Sequence, residues 1–169
     1  LTLCLEELQS RKHDWDVWAA TTVQEEIGFQ GAVTSAFQLQ PDIAIAVDVT
    51  FAKGPGANGW EAFKLGSGPT IGWGATTHPF LFNQFKDLAE KMEMPYDVEI
   101  LPSRSGTDGD GLQLVAQGIP TVVISIPVRY MHTPIELIAL KDIQRAGRLL
   151  AEFIAMLEPD FLDKIVWDD

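Results

Sequence analysis

Two adjacent glutamates, Glu25 and Glu26, an aspartate inside an apolar run, Asp48, and a loop histidine, His132, are the side chains here best suited to hold a divalent cation and move a proton beside it. Carboxylate oxygens and an imidazole nitrogen form a donor set that zinc and cobalt both accept. Each residue also has a plainer reading. Asp48 could pair with Arg104 or Arg129, or cap a loop amide, since a buried carboxylate is costly without a partner. Glu25 and Glu26 could be a polar strand exit, and His132 an ordinary loop histidine. Adjacent glutamates on a regular strand point to opposite faces. They can serve one site only where the backbone is already turning, which Gly28 permits. One would then bind the metal, and the other would stay free to take a proton from a water that the metal activates.

The elements that must place these groups follow from periodicity. Residues 43–49, IAIAVDV, and 121–126 are apolar throughout and read as strands buried on both faces. Residues 17–23, 70–73 and 96–101 read as further strands. Helices are expected over 1–8, 32–37, 79–92, 110–117 and 140–157, with Asp142 and Arg145 on the wet face of the last. Residues 53–68 hold five glycines and a proline and read as a loop; 162–169 show little pattern. Strand and helix alternate, which predicts an α/β fold with a mixed, largely parallel sheet and helices on both faces. Ligands in such sheets bind beyond the carboxyl ends of the strands. Glu25, Glu26, Asp48, Asp108 and His132 all follow or close a predicted strand.

Composition narrows the function further. The 169 residues carry 12 basic and 24 acidic side chains, a net charge of −12, spread along the chain. Such a field disfavours nucleic acid and anionic membrane surfaces as partners and favours cations. A single cysteine, Cys4, fits a reducing, cytoplasmic setting. The five tryptophans, at 15, 18, 60, 73 and 167, are scattered and outline no sugar groove.

Four segments, in order and spacing, resemble the glutamyl-aminopeptidase/TET-type dinuclear metallo-aminopeptidases, some of which carry the label cellulase M or endoglucanase. They are Val23-Gln24-Glu25-Glu26-Ile27-Gly28-Phe29-Gln30-Gly31-Ala32, Ala44-Ile45-Ala46-Val47-Asp48-Val49-Thr50, Gly106-Thr107-Asp108, and Ser125-Ile126-Pro127-Val128-Arg129-Tyr130-Met131-His132-Thr133-Pro134-Ile135-Glu136. The resemblance implies a three-layer zinc-exopeptidase-like fold. It implies Glu25 as general base, Glu26 and His132 as ligands of one metal, and Asp48 as ligand of the other. It places Gly106, Thr107 and Asp108 on a loop lining the active site, with Arg129 and Tyr130 beside the histidine, as substrate-binding residues. It also implies two zinc or cobalt ions, peptide substrates and homo-oligomers such as the family's dodecamers.

Residues 1–169 are expected to be a single, partial catalytic domain. The family's His-x-Asp motif, its bridging aspartate and its inserted β-domain have no counterpart in the sequence; neither His13 nor His78 lies in a His-x-Asp. The isolated chain is therefore expected to bind zinc weakly, to lack measurable aminopeptidase activity and to self-associate. Two other readings remain open. One is a non-catalytic α/β module that serves in assembly after losing its metals. The other is a glycosidase using Glu25 and a second carboxylate, which leaves the metal-type set without a task.

Overall fold

The apolar run at 43–49 does become a strand, β1 (Ala44–Phe51), and it forms one edge of the sheet. The computed structural model describes residues 1–165; Trp167 and the last part of the 162–169 tail lie outside them. Strands β2 (Thr70–Gly74), β3 (Asp97–Leu101) and β4 (Thr121–Arg129) complete the order β1-β4-β2-β3, and the two-residue β5 (Leu137–Ile138) pairs with β4. β1 runs parallel to β4, and β2 to β3. The antiparallel join of β2 to β4 is only Thr70↔Ser125 and Ile71↔Ile124. The sheet is thus mixed and largely parallel, as the alternation of elements requires.

Helices cover both faces. On one, α1 (Thr2–Leu8), α4 (Pro79–Lys91) and α6 (Leu140–Met156) bury Leu81, Phe85, Leu149 and Phe153 against Ile71, Val122 and Ile124. Phe85 and Phe153 stack with ring centroids 4.1 Å apart, and burying each such side chain is worth roughly 1.5–3 kcal/mol. On the other face lie α3 (Gln30–Leu39) and α5 (Gly109–Leu112), over the small residues Ala44, Ala46 and Val123, and the short α2 (Glu25–Gly28) precedes α3. A Cβ on Gly109 would stand 2.8 Å from Val123, so glycine lets α5 lie this close to the sheet. No helix among the described residues is long and apolar enough to cross a membrane.

Three sequence expectations need correction. Residues 17–23 form no strand; they are irregular, with Trp18 and Val23 exposed. Their β-rich composition is not enough, because a strand needs a neighbour to take its backbone hydrogen bonds and none stands there. The helix expected over 110–117 is a single turn, α5, followed by turns up to Gly118. Asp142 is not on the wet face of α6 but fully buried. Its carboxylate accepts the amides of Gly66 (2.6 Å) and Gly68 (2.9 Å), with Arg145 3.4 Å away. Arg145 in turn donates to the Gly66 carbonyl. Periodicity put this residue in water; the arriving glycine loop took it out. The tail yields a 3-10 turn, Phe161–Lys164, with Phe161 buried.

Candidate metal and catalytic site

Glu25 and Glu26 open the one-turn helix α2. The backbone has therefore turned where they stand, as their shared use demands. Gly31 makes this possible, because a Cβ there would stand 2.4 Å from the Val23 amide nitrogen. Its own amide donates to the Val23 carbonyl (3.0 Å), which ties the approach to α2 onto the start of α3. Gln24 and Phe29, on either side of α2, have φ of 64° and 62°. Tyr130 and His132, after β4, have φ of 64° and 60°. Left-handed backbone at non-glycine residues stores strain and gathers at functional sites. Here four such residues bracket the two loops that meet.

They meet between Glu26 and His132. His132 Nε2 lies 3.3 Å from a Glu26 carboxylate oxygen, although 106 positions separate them in the chain. Both side chains are exposed. The His132 amide donates to Glu136 (2.9 Å), and the Thr133 hydroxyl to the Tyr130 carbonyl (2.6 Å), which shapes the loop behind the ring. Asp48, half-buried, takes the amide of Val49 at 2.7 Å. Among the described residues neither Arg104 nor Arg129 pairs with it, so the ion-pair reading of Asp48 is not what the structure shows. Arg129 donates instead to the Lys53 carbonyl (2.7 Å) and pins the start of the glycine loop. Tyr130 is exposed beside the histidine.

Asp108 stands at the carboxyl-end side of the sheet with Asp48, and both line a groove of about 330 Å³ between α3, β1 and residues 18–22. The Thr22 hydroxyl donates to one Asp108 oxygen at 2.5 Å; the other oxygen is buried with no hydrogen-bond partner. The turn that carries Asp108 is shaped by a residue to which the sequence assigns no role. Asp110, buried, accepts the Ser105 amide and hydroxyl (both 2.8 Å) and the Gly106 amide (2.9 Å). Gly106 needs its φ of +70° to close this turn, and Thr107 is buried within it. A second overlooked residue is Glu99 on β3, which accepts the hydroxyls of Thr50 and Thr70. Its only sequence signal was a charge within a short strand.

The electrostatics reflect crowded negative charge. The Glu25 carboxyl is pushed up by burial, then by the charges of Asp48, Glu26 and Asp108, against a lowering by His132. Asp48 is pushed up by burial as well; the Val49 amide opposes this, while Asp108, Glu26 and Glu99 add to it. Massed carboxylates, an imidazole and an orphaned buried oxygen fit a divalent cation in donor chemistry. Among the described residues no three His, Cys, Asp or Glu side chains stand close enough to share one ion. The arrangement is a pair, Glu26 and His132, with Asp48 alongside.

Residues 1–149 match the profile of the family described as M42 glutamyl aminopeptidase. The lysyl aminopeptidase of Pyrococcus furiosus is 38% identical over 151 residues, which cover 89% of this chain and 44% of that protein. Aminopeptidase APDkam598 from the archaeon Desulfurococcus kamchatkensis superposes with a TM-score of 0.87 at 35% identity, covering 96% of this chain and 48% of that one. The Pyrococcus horikoshii TET1 peptidase, described as able to assemble into a tetrahedron or a large octahedral shell, superposes with a TM-score of 0.64 at 27% identity, over 80% of this chain and 40% of that one. The chain spans less than half the length of these relatives.

Proposed function

The chain belongs to the M42 glutamyl aminopeptidase family, and on that premise we propose that its site is part of a metal-dependent aminopeptidase that removes N-terminal residues from peptides. Glu26 and His132 would hold one ion and Asp48 another, with zinc or cobalt suited to these donors. When bound, such ions supply Lewis acidity and bring the pKa of an attacking water to roughly 7. Glu25 is the general base: it takes the proton of that water and returns it to the departing amine. Its carboxyl, pushed up by burial and neighbouring charge, is tuned in the direction such a role requires. Gly106, Thr107 and Asp108 would present their turn to the substrate, and Tyr130, exposed beside His132, would contact it. Arg129 serves through the loop it pins rather than by a free guanidinium.

The observation that carries this reading is the convergence of Glu26 on His132 at 3.3 Å, with Glu25 the neighbour of Glu26 on the same turn. A glycosidase has no use for that pair. The test is cobalt titration followed by absorption, with elemental analysis of the purified protein. In the full-length enzyme, Glu26→Gln and His132→Ala lose metal, whereas Glu25→Gln keeps it and loses turnover of aminoacyl-p-nitroanilides. Equal metal loss in Glu25→Gln and Glu26→Gln would overturn the division of roles. Homo-oligomeric assembly and a cytoplasmic location belong to the same proposal. Exposed Trp60, Ile135 and Leu140 offer apolar surface for a second copy, and light scattering reads the assembly.

A further inference from the structure

Where β4 leaves β2, the sheet loses its backbone continuity. The β2–β4 ladder stops at Thr70↔Ser125, while the β1–β4 ladder continues to Phe51↔Val128. β1 has one strand neighbour, β4, along its length, and at its end the Phe51 carbonyl also accepts the Phe63 amide (2.8 Å) from the glycine loop. Asp48 and Thr50 lie in this part of β1, two apart and so on one face. On β3, Glu99 pairs with Gly72, which puts no side chain beside it on β2. The Glu99 carboxylate crosses the gap. One oxygen accepts the Thr50 hydroxyl at 2.6 Å and the other the Thr70 hydroxyl at 2.7 Å. Thr50 and Thr70 are both buried. No lysine or arginine pairs with Glu99 among the described residues. A half-buried carboxylate held by two neutral hydroxyls gains less than one held by a cation, so fold stability alone gives little reason for a charge there. Its charge also reaches Asp48.

We propose that Glu99 is a positioning residue of the site: by tying Thr50 of β1 to β3, beyond the point where the β2–β4 ladder ends, it holds the end of β1 that carries Asp48. The bridge adds a side-chain tie to the backbone bonds of β1 and fixes the strand exit from which Asp48 is presented. The metal role of Asp48 comes from the functional proposal above, but the lacing itself does not depend on it. Outer residues that orient a metal ligand are typically worth 10- to 100-fold in metal affinity.

The test uses the 169-residue chain with two readouts: amide hydrogen exchange along β1 without metal, and cobalt affinity by titration. In Glu99→Ala and in the isosteric Thr50→Val, the amides of residues 49–51 exchange about tenfold faster, while those of 44–47 stay near the parent. Cobalt affinity falls roughly 10- to 100-fold in both. Glu99→Gln, whose amide still bonds both hydroxyls, keeps the parental exchange pattern. Thr70→Val, which leaves the Thr50 bond intact, keeps cobalt affinity within about twofold of the parent. If Glu99→Ala does not fold, Thr50→Val carries the test alone. Unchanged exchange at 49–51, or a uniform rise along the whole strand, overturns the proposal. If exchange responds as expected but the parent binds no cobalt, the lacing stands and the metal reading falls. If cobalt binds tightly in the parent and equally in Glu99→Ala, the positioning role falls and the metal reading stands.

Discussion

On one face of the sheet, α1, α4 and α6 press Phe85, Phe153, Leu81 and Leu149 onto Ile71, Val122 and Ile124, and the packing is dry and aromatic. On the other face, α3 and the single turn α5 rest on Ala44, Ala46 and Val123, and further along stand Asp48, Thr50, Thr70, Ser125 and Glu99. The first face is built of large side chains that interdigitate. The second uses small ones, so that backbone and polar groups come close to each other. Stability is concentrated on the former, and the costs of chemistry on the latter: crowded carboxylates, left-handed backbone and an unpartnered buried oxygen. The two faces should therefore answer differently to substitution.

The largest separation is expected from Glu25→Gln. Turnover in the active enzyme should fall by on the order of 10² to 10⁴, while the urea midpoint does not fall. A comparable fall in stability would show that the site face also carries the fold. Phe85→Ala is the converse case. It should cost about 3–5 kcal/mol of unfolding free energy, read by urea denaturation, without altering the metal content of the molecules that remain folded.

Asp142 tests a point between the faces. Asp142→Ala strands the amides of Gly66 and Gly68 and should cost about 1–3 kcal/mol. Proteolysis should then open the 53–68 loop before the rest of the chain. Cutting elsewhere first would mean that the loop is held by other contacts.

The smallest effects are those of pH, and they should have opposite signs. Burial lowers the His78 imidazole below its ordinary value near 6.5. The unfolded chain then binds that proton first, so the stability it contributes is lost as pH falls below about 6.5. Glu25 and Asp48 are raised, so the folded chain binds their protons first, and their penalty on stability eases as pH falls toward the ordinary carboxylate range. In chelator, Asp48→Asn should be more heat-stable than the parent near pH 7, with the gap closing toward about pH 4. His78→Gln should flatten the loss below about pH 6.5. Parallel melting curves for the parent and Asp48→Asn would contradict the crowding of charge at the site.

Much of this architecture was legible from local pattern. Apolar runs at 43–49 and 121–126 became β1 and β4, and the apolar spacing over 79–92 and 140–157 became α4 and α6. The adjacent glutamates demanded a turning backbone, and α2 supplies it. Residues 17–23 misled because β propensity says nothing about whether a partner strand is present. Asp142 misled because helical periodicity assigns a face without knowing which loop will cover it.

β1 proves an edge strand with Val49 and Phe51 exposed, but readable along the chain are the α/β alternation, the strand β4 buried on both faces, and the types of side chain available for chemistry at the strand exits. These follow from the period of apolar residues and from donor chemistry, which are local properties. The folded chain, not its pattern, brings Glu26 to His132 and sets Glu99 between Thr50 and Thr70. The Glu26–His132 and Glu99 contacts depend on which strands lie side by side. A carboxylate in a sequence carries its charge and its reach but not its partner. The partner is set by which strands the chain brings side by side.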